Sequence, residues 1–361
     1  MENTEERLAM LNTIPEPAFL VQDGKIIALN EPACQRQLKV GDDVVPMLAT
    51  GQEEYENYHG GSLYLTMNIC GTNQSVCISP AGENQLFLLE QEQDAAELQS
   101  MALIAKTMRT PLSNVMSVAD GLFPMRSLDG DPITQEQIAK INKGLYQMLR
   151  IVCNMSDAYR YATEQAPRTE LRDIARLIQE QFTESTHLIE TSGIKVHYTG
   201  PKEAVYGIVD AEKLERAVAN ILSNAVKFTP VNGSVHAMLT RKGKMLYLTV
   251  QDSGSGVASH MKGNIYTSYR RQPGIEDPRF GLGLGMVLIR QAAAAHGGTV
   301  LMEHGVDFGL RLTMTLAICQ PTDTNVRSPM ILMDYVGDRD HRLVELSDVL
   351  PYTLYNPDNI G

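Results

Sequence analysis

The chain has 361 residues, a formal charge of −12 and 43% hydrophobic residues, enough for two or three separately packed cores, since a single core stops growing at roughly 250–300 residues. The acidic balance supplies no overall basic field for a phosphate backbone and argues against nucleic acid as a partner. The five cysteines (Cys34, Cys70, Cys77, Cys153, Cys319) form no C-x-x-C pair and no zinc spacing with histidine, the usage of reduced thiols. The start M-E-N-T-E-E-R lacks the basic and apolar regions of a signal peptide. The longest apolar run, around Met286 to Ala295, is interrupted by Arg290 and Gln291, short of the roughly 18 residues of a membrane span. A cytoplasmic location is expected.

Residues 11–89 read as a small mixed domain. Two apolar runs flank the turn Asp23-Gly24, a hairpin signal, and further strands are predicted at Ser62–Cys70, Gln74–Ser79 and Gln85–Leu89. From Leu98 the period changes. Leu98, Met101, Ala105, Met108, Leu112, Val115, Ala119 and Leu122 step by three and four, and after a loop holding Gly121, Pro124, Gly130 and Pro132 a second seam runs Ile138, Ile141, Leu145, Met148, Val152, Met155, Tyr159. These predict a two-helix hairpin, kinked at Pro111. Its leftover apolar stripe is covered most simply by a second copy, as a four-helix bundle.

Residues from about 169 to 318 alternate helix and strand. Helices are predicted at Leu171–Ile189, Ala211–Phe228 and Leu284–His296, and strands at Ile194–Tyr198, Ser234–Arg241, Met245–Asp252, Thr299–His304 and Leu310–Ala317. This is an α/β sandwich. Beyond Gln320 the only helical candidate is Arg342–Leu350, and no motif is assigned there.

Three short elements carry chemistry. In E-R-A-V-A-N-I-L-S-N-A-V-K-F, Asn220, Asn224 and Lys227 lie on one helical stripe; an amide oxygen can ligate Mg²⁺ and a lysine can neutralise phosphate, although surface asparagines more often hydrogen-bond locally. D-S-G-S-G sets Asp252 at a strand end before Gly254 and Gly256. The carboxylate can accept an adenine amino group, or the run is an ordinary turn. G-L-G-L-G puts Gly281, Gly283 and Gly285 before a helix, where free N–H groups can face phosphate.

In this order, within about 65 residues, these boxes resemble the GHKL ATPase superfamily, specifically the ATP-binding domain of histidine kinases (the Bergerat α/β sandwich). An F-box-like I-Y-T-S-Y-R runs from Ile265 to Arg270, and A-A-H-G-G-T-V ends the last helix. The resemblance implies ATP and Mg²⁺ as cofactors. It puts Asn224 on the metal with Asn220 beside it, Lys227 toward phosphate, Phe228 near adenine, Asp252 on the adenine amino group, and residues 257–280 as a mobile lid.

The hairpin resembles the family's dimerisation and phosphotransfer (DHp) domain, whose motif is close to H-E-L-R-T-P-L. Here the sequence reads Lys106-Thr107-Met108-Arg109-Thr110-Pro111-Leu112. A lysine, protonated at its ordinary pKa of about 10.4, has no lone pair to attack a γ-phosphate, and Thr107 is no carboxylate base. No histidine lies between residues 60 and 186. Lys106 is then either a solvated residue left by lost phosphotransfer or a charge that pairs with ATP phosphate or a receiver aspartate. Thr110 either bonds its own backbone or occupies the family position that helps dephosphorylate a response regulator.

The first segment, I-P-E-P-A-F-L-V-Q-D-G-K-I-I-A-L-N-E-P-A, resembles a PAS sensor domain. The expected architecture is multidomain α+β: a PAS-like α/β domain (1–89), a DHp-like hairpin (90–166) dimerising into a four-helix bundle, a GHKL sandwich (167–319) and a tail (320–361). The resemblance implies a two-component signalling protein without self-phosphorylation. It would act as a nucleotide-dependent switch toward a response regulator or partner kinase. An active kinase in trans, a phosphatase using Thr110 and a non-enzymatic scaffold are the alternatives.

Overall fold

The computed structural model describes residues 8–89, 95–122, 132–163, 168–254, 283–305, 308–319 and 339–356. The first domain contains strands β1 (Ala18–Gln22) and β2 (Lys25–Leu29), short helices α1 (Glu31–Gln35) and α2 (Gln52–Glu56), and strands β3 (Ser62–Ile69), β4 (Thr72–Ala81) and β5 (Asn84–Leu89). Asp23 and Gly24 both have positive φ, which twists the β1/β2 turn to match its strands. Phe19 stacks on Phe87, with centroids 5.1 Å apart, within a core of its own.

Helices α3 (Ala95–Leu122) and α4 (Pro132–Thr163) pair as the expected hairpin. Pro111 lies inside an unbroken α3. Gly121, expected in the loop, is helical, and Pro132 opens α4, where its missing N–H costs no hydrogen bond. The two seams are only partly buried. Ala105, Leu112, Ala119, Ile138, Leu145, Val152 and Met155 face inward, and Met116 joins them. Met108, Val115, Ile141 and Met148 are exposed, because one hairpin covers a single face of each helix.

The ATPase-like region adds β6 (Glu170–Asp173), α5 (Ile174–Glu190), β7 (Lys195–Thr199), β8 (Tyr206–Val209), α6 (Ala211–Phe228), β9 (Ser234–Lys242), β10 (Met245–Asp252), α7 (Leu284–Ala295), β11 (Val300–His304) and β12 (Leu310–Ala317). Leu171 to Asp173, expected as helix, pair instead with β8 in a two-stranded sheet. Asp173 stops the strand and caps α5, its side chain accepting from Arg176 N.

A ten-stranded sheet runs β2-β1-β5-β4-β3-β11-β12-β10-β9-β7, so the first domain and the sandwich share it. The joint is antiparallel, with Tyr64 opposite Val300, Leu63 opposite Leu301 and Ser62 opposite Met302. Gly61, at φ +88°, brings the chain so close that a Cβ would lie 2.3 Å from the carbonyl oxygen of Met302. Across the joint the guanidinium of Arg290 lies 4.9 Å over the Tyr64 ring, and burial pushes the neighbouring Cys77 thiol up to about 11.

The last segment forms α8 (His341–Glu345), capped by Asp340, and a 3₁₀ turn at Tyr352–Tyr355. The helix is shorter than the expected Arg342–Leu350. Leu343, Val344, Leu346, Leu350 and Tyr355 are buried in the core that also holds the hairpin and the sandwich helices. No helix among the described residues is long and apolar enough to cross a membrane.

Candidate functional site

Asp210 caps α6, its carboxylate accepting from Lys213 N at 3.1 Å. The helix runs without a break to Phe228 and carries Asn220, Asn224 and Lys227 along one stripe. Their surroundings differ. Asn220 is fully buried; its Nδ2 donates to the Arg216 carbonyl at 2.9 Å and its Oδ1 accepts from Arg150 Nη2 at 3.4 Å. Asn224, Lys227 and Phe228 are half-buried.

Asp252 ends β10 and is buried. Its Oδ1 accepts from Gly254 N at 2.8 Å and its Oδ2 from Leu310 N at 3.1 Å. Burial raises its pKa, and the backbone donors act the other way. Two glycines press the walls together. A Cβ on Gly254 would lie 2.4 Å from the Phe228 carbonyl oxygen, and one on Gly285 would lie 2.7 Å from Asn220 Oδ1. Gly283 is the left-handed N-cap of α7 and supplies no side-chain cap, so the helix opens with N–H donors suited to an anion. The half-buried amide and ammonium, the carboxylate held by backbone N–H groups and the helix end form a donor set that fits an adenine nucleotide with a metal ion. Gly256, Gly281, residues 257–280 and Ile265 to Arg270 lie outside the described residues.

Residues 209–319 match the family described as histidine kinase-, DNA gyrase B-, and HSP90-like ATPase. Hybrid signal transduction histidine kinase D of Dictyostelium discoideum is 26% identical over 62% of this chain and 15% of its own length. Adaptive-response sensory kinase SasA of Synechocystis sp. is 25% identical over 65% of this chain and 64% of its own. Residues 209–319 thus form a GHKL-type ATPase domain, and the chain is similar to sensor histidine kinases. It spans well under two thirds of the first curated relatives it matches, from 15% to 38% of their lengths. Full-length ShkA, crystallised with AMPPNP, overlaps 62% of this chain and 46% of its own at 21% identity and a TM-score of 0.49.

In this histidine kinase relative, Lys106 and Thr110 stand exposed on α3. Thr107 Oγ1 donates to the Ile104 carbonyl at 2.9 Å, the local bond expected of a helix threonine. The family's terminal A-A-H-G-G motif has a structural job. His296 Nδ1 lies 2.7 Å from the Ala292 carbonyl oxygen, and Nε2 accepts from Asp210 N at 3.0 Å, which ties the end of α7 to the cap of α6. That arrangement suits a neutral ring, and burial lowers the His296 pKa.

Several groups escaped sequence reasoning. A Cβ on Gly309 would lie 2.0 Å from Asp252 Oδ1, so this glycine admits the carboxylate. Arg150 and Arg216 have side chains 8% and 11% exposed; the Arg150 guanidinium reaches Asn220 from the hairpin, while Arg216 meets Asn220 only through its backbone carbonyl. Arg216 donates to Asp157 at 2.6 Å and lies against Glu345, while Arg150 meets Asp348 at 2.5 Å. The readable signal was an arginine in the apolar stripe of α4; the acids that meet it lie 195 residues or more further along the chain.

Proposed function

We propose that this chain is an ATP-binding two-component signalling protein that does not phosphorylate itself on histidine and works as a nucleotide-dependent switch. Its parts are a PAS-like sensor (1–89), a DHp-like hairpin (90–166), an ATPase domain (167–319) and a tail (320–361). The observation that carries the reading is the contrast between the two ends of the chemistry. Asp252, Gly254, Gly285 and Asn224 keep the setting a nucleotide needs, while Lys106 occupies the acceptor position on α3.

In this reading Asp252 accepts the adenine amino group, Phe228 flanks the ring, Lys227 faces phosphate and Asn224 holds Mg²⁺ with Asn220 beside it. The metal, when bound, neutralises phosphate charge. The exposed stripe of Met108, Val115, Ile141 and Met148 supports a homodimer through the hairpin. Seating of α6 against α4 then changes with nucleotide, and a response regulator or partner kinase in the cytoplasm reads the altered surface. Nucleic acid has no part in it.

Incubation of the purified protein with γ-labelled ATP tests the reading. Saturable nucleotide binding without acid-labile label is expected; acid-labile label on this chain overturns the loss of self-phosphorylation, and absence of any adenine nucleotide binding overturns the switch. Lys106→His with Thr107→Glu should restore part of the label.

A further inference from the structure

The C-terminal segment 339–356 closes over the hairpin beside the nucleotide site. Tyr355 meets Tyr146 edge-on at 5.2 Å between centroids, and its carbonyl accepts from Asn142 Nδ2 at 3.0 Å. Lys143 Nζ donates to the Leu350 carbonyl at 2.7 Å. Just before these anchors in the chain the segment presents two carboxylates. Glu345, with a side chain 5% exposed, lies against Arg216 and 3.9 Å from Arg150 Nε. Asp348 meets Arg150 Nη1 at 2.5 Å and stands 3.9 Å from Lys227 Nζ.

A buried guanidinium is stable only with a nearby anion, and its planar fork matches a carboxylate or a phosphate equally well. Among the described residues, both carboxylates paired with Arg150 belong to this segment. The two are not equivalent. Glu345 is enclosed, whereas the side chain of Asp348 is 34% exposed and lies in the turn between α8 and the 3₁₀ helix, so it can swing aside while the apolar anchors stay docked. Arg150 also donates to Asn220, and Lys227 belongs to the same stripe, so Asp348 lies where a cation of the hairpin and a cation of the ATPase domain converge.

We infer that Arg150 is a phosphate-binding residue of the nucleotide site, contributed by the hairpin, and that the carboxylate of Asp348 holds the phosphate position until a nucleotide displaces it. The inference rests on the ATP-binding reading and adds to it a residue from outside the ATPase domain and an internal competitor. Nucleotide binding would thereby exchange a tail contact of the hairpin for a ligand contact, which links occupancy of the site to the α4–α6 seam.

The test is equilibrium binding of MgATP and of adenosine to the full chain and to Asp348→Asn, Arg150→Gln and the double variant, with circular dichroism as the check on folding. Asp348→Asn should tighten ATP several-fold by removing the competitor. Arg150→Gln should weaken ATP about tenfold or more. Adenosine, which has no phosphate, should bind all four proteins alike, and the Asp348→Asn gain should vanish when Arg150 is also replaced. If Arg150→Gln does not fold, Asp348→Asn alone decides. ATP affinity unchanged or weakened in Asp348→Asn, with the wild type binding ATP, overturns this inference and leaves the nucleotide reading standing. No adenine nucleotide binding by the folded wild type overturns both.

Discussion

The ATPase domain meets the rest of the chain along two seams of different construction. Toward the first domain the contact is main chain: β3 adds to β11 in fixed antiparallel register, with Gly61 against the Met302 carbonyl and Arg290 over Tyr64. Toward the hairpin and the tail a shared apolar core is bordered by charge. Asp157, Arg160, Arg216, Glu212, Glu345, Arg150 and Asp348 form a chain of ion pairs across α4, α6 and the C-terminal segment. A β-ladder cannot slip by one residue without turning every side chain to the wrong face. Ion pairs can exchange one anion for another. The sheet seam therefore fixes where the domain sits, and the charged seam is the one on which the proposed nucleotide switch acts.

The largest effect should come from breaking the rigid seam. Gly61→Val combines a β-branched residue at positive φ with a clash on the Met302 carbonyl, and should cost more than about 3 kcal/mol in urea unfolding. Hydrogen exchange at Val300 to Met302 should accelerate with it. An unchanged midpoint would remove the distinction between the seams. Next, Tyr355→Ala empties a fully buried position and should weaken docking of the tail by about 3 kcal/mol. Limited proteolysis should then release the segment while the ATPase domain keeps its melting transition; loss of the whole fold would show that the tail is part of one cooperative unit.

A smaller, pH-dependent effect belongs inside the domain. His296 is held neutral between Ala292 and Asp210 with a depressed pKa, so below its unfolded value of about 6.5 the unfolded chain binds more protons. Its contribution is complete above that pH and is lost as pH falls toward the folded value. Stability measured from pH 7.5 to 5 should decline, and His296→Asn should flatten the decline. Smallest of all, Lys106→Ala on the exposed face of α3 should leave ATP affinity within about twofold. A larger change would make Lys106 a ligand and extend the nucleotide site beyond the charged seam.

The sequence was most readable where local rules and burial agree. Asp210 caps α6 and the 3.6-residue period carries it to Phe228; β10 runs from Met245 to Asp252 as its alternation predicts. The boxes at Asn220, Asp252 and Gly285 were legible because a helix stripe and close backbone approach each demand particular residue types. Leu171 to Asp173 misled because their apolar residue fits either period until the cap at Asp173 is known. The hairpin seam was legible as a stripe wider than one hairpin covers, which is why Met108 and Val115 stay exposed. Nothing local announces that β3 pairs with β11 or that Asp348 meets Arg150, since both are long-range choices made by backbone edges and buried charge.

The most direct measurement is calorimetric titration of the full chain with MgATP, for the wild type and for Asn224→Ala and Asp252→Asn. The account predicts saturable binding at one site per chain, weakened about tenfold or more by either substitution with the fold retained. Absence of binding by the wild type, or equal binding by all three, would contradict it.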